Sequence, residues 1–257
     1  FYNNASTSFT PALGAFDGTL QIENTGFYGA GTQPYGIQAQ NLSVTLLDVQ
    51  FDNFDRAISA EFGSTIDYSG FGSTVSNGLD GIFVDDANVT AREVTITDPA
   101  GLGVFVGFNA FFSCTDCTFS DGLGSTMVQV SDTGAPAIAQ LTNPGFSAGP
   151  PTGPTLVEGI GLFSQIEIDS MTLSDLGGRS LVSSGGTVDL LDIDVTNYSG
   201  NQPMFRLDGF GAVLTATNVI VSNSTGSVPA FEALSGGDIT VDGLNLMGHA
   251  ARVFEVS

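Results

Sequence analysis

Apolar residues recur along this chain in a template at relative positions 0, 2, 5 and 7, and the template returns every 22 to 29 residues. Its copies are Leu20/Ile22/Thr25/Phe27, Val44/Leu46/Val49/Phe51, Ile66/Tyr68/Phe71/Ser73, Val89/Ala91/Val94/Ile96 and Phe112/Cys114/Cys117/Phe119. A degenerate copy falls near Ala137/Ala139, followed by Ile166/Ile168/Met171/Leu173, Val188/Leu190/Ile193/Val195, Leu214/Ala216/Val219/Val221 and Ile239/Val241/Leu244/Leu246. Alternation within each pair marks a strand with one buried face, and the three-residue step between pairs marks a bend that keeps both inner faces on one core.

A third alternating pair follows in most coils, as at Ile37/Ala39, Ile58/Ala60, Ile82/Val84, Val104/Val106, Phe205/Leu207, Phe231/Ala233 and Phe254/Val256. Three strands per coil predict a triangular all-β solenoid of about ten coils, stacked in parallel at about 4.8 Å into a rod about 48 Å long. Between the strand pairs sit Asn24, Asp48, Gly70, Asp116, Asn218 and Gly243, residue types that tolerate a left-handed backbone, so this column is one corner. A second corner carries Asn53, Asp98, Asp121, Asp175, Asn197, Asn223 and Gly248. The whole chain, 1–257, reads as one domain, with 1–19 as an N-terminal lead-in or cap. Residues 143–156 are expected to form a Pro/Gly-rich inserted loop, beginning Asn143-Pro-Gly, with a lesser Gly/Ser-rich bulge from Gly70 to Asp80.

By coil length and corner residues, from 20 to 257, the chain resembles the right-handed parallel β-helix group, the superfamily of pectate lyases, polygalacturonases and many non-enzymatic surface proteins. The resemblance implies the fold and its right hand, which parallel crossovers also favour. It does not carry an activity, because the Asn-Thr-Asp, Gly-His-Gly and Arg-Ile-Lys elements of the glycoside hydrolases in the group are missing here.

Composition narrows the function. Five arginines and no lysine stand against 27 acids, and the net charge of −22 repels phosphate backbones, anionic lipids and polyanionic substrates. No apolar run is long enough for a membrane helix. The chain begins at Phe1 without a methionine, which suggests a processed product, a domain or a segment of something longer, and a removed secretory signal would fit. Sequons at Asn4, Asn41, Asn88, Asn197 and Asn223 make attached glycans an expectation in keeping with an extracellular location.

Candidate chemistry is sparse. Cys114 and Cys117 fall on core positions, so they read as buried small hydrophobes or a disulfide across a corner rather than a zinc site, which would need four ligands. Stacking of neighbouring coils would gather Glu167, Asp189, Asp192 and Asp194, with Asp169 beside them, into an acidic cluster of hard oxygen ligands suited to calcium. Arg206 or Arg179 would be the nearest base for a polysaccharide lyase. Asp85-Asp86 echo a pair of catalytic acids but read as turn residues. Outward Thr90, Thr95 and Thr118 could make short hydroxyl ladders of the sort ice-binding solenoids use, but they do not persist over enough coils for that role. The final strand, 252–256, is not followed by a capping segment in the sequence, so the expectation is either that more chain followed or that another copy or another subunit docks there. The expectation is therefore a secreted, non-catalytic structural or adhesive β-helix, a subunit of an extracellular filament, appendage or coat. A carbohydrate-active enzyme, lyase or hydrolase, is the alternative.

Overall fold

The computed structural model describes residues 11–29, 34–97, 99–120, 126–147, 155–177, 179–225, 227–249 and 251–256. Among them there is no helix, and every strand pairing is parallel within one wound sheet, a β-solenoid of about nine turns. Each turn has three faces. Face A contains 35–40, Arg56–Glu61, Asp80–Asp85, Val104–Val106 and their successors down to Phe254–Val256. Face B contains 42–47, Thr65–Ser69, Asn88–Arg92, Ala110–Thr115, Ala137–Thr142, 164–169 and so on to Asp238–Asp242. Face C contains 49–52, Thr74–Ser76, Thr95–Thr97, Thr118–Ser120, Gly145–Ser147 and so on to Asn245–Met247.

The register stacks like on like. On face A one inward column runs Ile37, Ile58, Ile82, Val104, Val128, Val157, Val182, Phe205, Phe231 and Phe254, each paired with the next. All but Phe254 are buried. Stacking identical positions puts aromatic on aromatic, and Phe205, Phe231 and Phe254 form a pile with centroids 4.8 and 5.2 Å apart. Tyr68 is also inside the core, its hydroxyl donating toward the Val49 and Thr74 carbonyls at 2.7 and 3.0 Å.

Burial raises the Tyr68 phenol far above its ordinary range, and raises that of Tyr198 to about 12. Both folded-state values lie above the unfolded one, so the neutral phenols stabilise the fold fully below pH 10, and this contribution is lost as pH rises beyond it. In an alkaline titration followed by phenolate absorbance and circular dichroism, these two tyrosines are expected to ionise only as the β signal disappears. Their ionisation with the β signal intact would contradict the burial.

Both predicted corner columns have positive φ. Asn24, Asp48, Gly70, Asp116, Asn218 and Gly243 lie between 48° and 109°, and Asn53, Asp175, Asn197, Asn223 and Gly248 between 53° and 74°. Asp98 and Asp121 lie outside the described residues. The corners also solve an electrostatic problem. Aspartates stacked about 4.8 Å apart would repel, but an asparagine of the following turn donates Nδ2 to the aspartate beneath. Such pairs are Asn109 to Asp86, Asn143 to Asp116, Asn197 to Asp175 and Asn218 to Asp192, at 2.6 to 3.1 Å, with Asn41 to Asp17 repeating the pattern. Asn218→Asp replaces one such bond with facing carboxylates. It is expected to cost about 1 kcal/mol in a urea titration at low salt, less at high salt, and Asp192→Asn in the same chain should restore most of it.

Three expectations need correction. Phe71 and Ser73 do not form the core pair of the third template copy: Phe71 is 87% exposed, and the strand is Thr74–Ser76, with Val75 inward. The corner there is longer, closed by the Gly72 amide on Asp48 and by Ser73 Oγ on the Ser69 carbonyl. The copy placed near Ala137/Ala139 is two residues later, because Phe112 pairs with Ala139, Cys114 with Leu141 and Phe119 with Phe146. Its members are Ala139, Leu141, Pro144 and Phe146, all buried. The inserted loop therefore does not start at 143, since Gly145–Ser147 is a strand of face C. Pro144 is tolerated because it precedes that strand rather than lying within its ladder. Residues 148–154 of that loop, and 1–10 of the lead-in, lie outside the described residues.

Candidate functional site

The acids expected to bind calcium are split by a corner. Glu167 and Asp189 are neighbours in register on the outer surface of face B, and Glu167 accepts the Gln140 side-chain amide at 2.7 Å. With Gln140, Asp169, Leu191, Thr215 and Thr217 they line a shallow trough across four turns. Asp192 sits at the next corner, φ 53°, and accepts from Asn218, while Asp194 points outward on face C, where a hollow with Ile220 and Asn245 lies beside it. The cause is the left-handed residue at 192, which turns the chain between the two pairs. Among the described residues no group of three or more His, Cys, Asp or Glu side chains is placed to hold a metal.

The arginines are committed elsewhere. Arg206 lies on face A, bonded to Asp208 at 3.0 Å and near Glu232 at 3.6 Å, and Arg179 is wholly buried. Neither stands over the trough on face B. Asp85 accepts the Phe108 amide at 2.9 Å and Asp86 is the left-handed corner residue, so both serve the turn. Thr90 lies on face B, whereas Thr95 and Thr118 are in register on face C, so the three do not share a ladder.

The Sγ atoms of Cys114 and Cys117 are at bonding distance, 2.04 Å, and both residues are buried on either side of the corner residue Asp116. Of the sequon asparagines, Asn41 and Asn197 occupy corners and commit Nδ2, the atom that would carry a glycan, to Asp17 and Asp175. Asn88 and Asn223 are exposed, and Asn4 lies outside the described residues.

One pairing escaped the sequence reading. His249 Nδ1 lies 2.8 Å from Ser224 Oγ, and His249 Nε2 lies 3.2 Å from the Arg252 carbonyl. Because a carbonyl only accepts, Nε2 carries a proton, and in the neutral ring Nδ1 accepts the serine hydroxyl. This is the hydrogen-bond pattern of an activated hydroxyl, yet Ser224 is fully buried, so the pair acts as a staple between adjacent turns. The signal for it is arithmetic: the two residues are 25 apart, one coil length.

Large exposed apolar side chains recur at the edge where face A turns into face B. In alternate turns that edge carries Phe16, Phe62, Phe108, the Leu162-Phe163 tip and Phe210, with exposures from 43% to 83%. The turns between carry small or polar residues there, Asn41, Asp86, Asp132 and Gly185-Gly186. Phe62 holds φ at +51°, a conformation that costs a bulky side chain about 1 kcal/mol relative to Gly or Asn. Its side chain is 61% exposed, so packing offsets little of that cost. Carboxylates accompany the row: Asp17 follows Phe16, Glu61 precedes Phe62, Asp132 accepts the Phe163 amide, and Asp208 lies two residues before Phe210.

No family model matches the chain, and no curated protein matches it. Among solved structures it is similar to the surface protein and adhesin PfbA of Streptococcus pneumoniae, with 12% identity and a TM-score of 0.39 over 95% of this chain and 90% of that one.

Proposed function

We propose that this protein is an extracellular, non-catalytic adhesive β-solenoid, an arm or subunit of a surface assembly, that works through its flank rather than through a pocket. The observation that carries the reading is the recurrence of exposed phenylalanines along one edge, because large apolar side chains repeated at one place on an otherwise polar, acidic surface mark a binding face. The disposition of the reactive groups agrees with it, since Ser224 is buried and Arg206 is ion-paired away from the trough.

The trough containing Glu167 and Asp189 favours a second reading, a carbohydrate-active enzyme that binds its substrate across face B. One pair of assays separates the two. Beads coated with the protein are tested for retention on cell and matrix surfaces, and the soluble protein is tested for release of reducing or unsaturated ends from a polysaccharide panel, each with and without calcium. The adhesive reading expects retention and no release. Release abolished by Glu167→Gln or Asp189→Asn, or no retention on any surface, would overturn it. Light scattering alongside tests assembly: rods or filaments support a subunit role, and a stable monomer removes it.

A further inference from the structure

We infer that the aromatic edge between faces A and B is the adhesive site, and that its ligand is a cationic, extended polypeptide segment of polyproline type. The inference rests on the adhesive reading and names the partner of that surface.

The charge argument comes first. The chain carries −22 and the edge places Asp17, Glu61, Asp132 and Asp208 beside its phenylalanines. A second copy of this chain brings the same acids and is repelled, as are sulfated or uronic glycans. A ligand with Lys or Arg gains from both halves of the surface, because ammonium and guanidinium groups are attracted to aromatic faces as well as to carboxylates. The protein already uses this combination internally: Arg56 lies over the Phe83 ring, 4.0 Å from its centroid, with its Nε 3.6 Å from Asp80.

Spacing then selects the conformation. Phenylalanines in alternate turns are separated by two coil rises, about 9.6 Å, and the row from Phe16 to Phe210 covers four such steps, about 38 Å. A polyproline helix repeats every three residues at 3.1 Å each, so four of its turns span about 37 Å and keep pace with the row from end to end. An α-helix repeats a face after two turns, and four such repeats span about 43 Å, losing register by half a step. A β-strand presents one face every two residues, about 6.7 Å, so it misses the single step of about 9.6 Å and comes back into step only at every second phenylalanine. Rigid polyproline ligands also lose little entropy on docking to aromatic surfaces.

The strain at Phe62 points the same way. A bulky residue stands at a left-handed corner where its side chain is mostly exposed, although Asn, as at Asn41 in the preceding turn, fits that backbone better. Phe62→Asn is thus expected to leave Tm unchanged or raise it.

The test uses the 257-residue chain and three fluorescent peptides: four repeats of Pro-Pro-Lys, four repeats of Pro-Pro-Glu, and a basic helical peptide of the same charge and length as the first. Binding is read by anisotropy at several salt concentrations, against wild type and a Phe62→Asn/Phe108→Ser/Phe210→Ser variant whose Tm is checked first. The expected result is binding of the Pro-Pro-Lys peptide that weakens with salt and drops about tenfold or more in the variant. Equal binding by the variant, equal binding of the acidic or helical peptide, or no binding of the Pro-Pro-Lys peptide would overturn the inference. Bead retention by wild type and by the variant alike would remove this site and leave the adhesive reading standing, whereas loss of retention by wild type itself removes that reading.

Discussion

Replacing Phe231 with alanine is expected to cost about 3 to 5 kcal/mol and to melt the C-terminal turns before the rest of the solenoid. Phe231 is fully buried and lies between Phe205 at 4.8 Å and Phe254 at 5.2 Å, so truncation leaves a cavity lined by rings on both sides. The backbone cannot close that space, because each turn is held at its spacing by the ladders on three faces. In a stack where every turn contacts only its neighbours, the loss stays local. Hydrogen exchange should therefore accelerate in Phe205–Asp208 and Phe231–Leu234, while Thr65–Ser69 and Asn88–Arg92 keep their protection. Uniform acceleration along the chain would show the turns to be one cooperative unit instead.

The second large effect is an overpacking one, expected for Gly159→Val at about 3 kcal/mol. Gly159 occupies an inward position of face A that the turn before fills with Val130. A side chain there has no room: a Cβ would lie 2.4 Å from Ser184 Oγ, 3.0 Å from Ser164 Oγ and 3.1 Å from the Ile166 side chain. Both hydroxyls are already used, Ser164 donating to the Gly161 carbonyl and Ser184 accepting the Gly186 amide. Since Gly159 and Ser184 pair in register, a Gly159→Val/Ser184→Gly chain should recover part of the loss in chemical denaturation. Purely additive costs would mean that the two sites do not share the space.

These two positions also show what is legible in such a chain. The column containing Phe231 is readable because side chains alternate with period 2 and the coil length repeats, so equivalent apolar residues recur at predictable offsets. Corner residues such as Asp48 and Asn218 are readable because few side chains accept the left-handed backbone. Gly159 is invisible to an apolar template, since the core there is completed by two serines and close backbone approach. Phe71 misleads because two extra corner residues shift the strand while preserving the apparent spacing. Pro144 hid a good copy because proline signals a loop when it stands, as here, at the last position before a strand.

The aromatic edge escapes the sequence reading for a related reason. Composition invites every phenylalanine into the core, and residues such as Phe62 and Phe210 are told from core members only when the register aligns them at one corner. The local signal is a large apolar residue directly before glycine, Phe62-Gly63 and Phe210-Gly211, at a corner where Asn or Asp would suffice. The acidic cluster failed in the opposite sense. Glu167 and Asp189 were correctly placed side by side, but Asp192 turns the chain, and neighbours in sequence became occupants of different faces.

The most direct test of the central claim is bead retention compared across three proteins: wild type, the Phe62→Asn/Phe108→Ser/Phe210→Ser edge variant, and a Glu167→Gln/Asp189→Asn trough variant. The expected result is retention by wild type and the trough variant, with retention lost in the edge variant at unchanged Tm. Loss in the trough variant with the edge variant unaffected would contradict the account and move the working surface to face B.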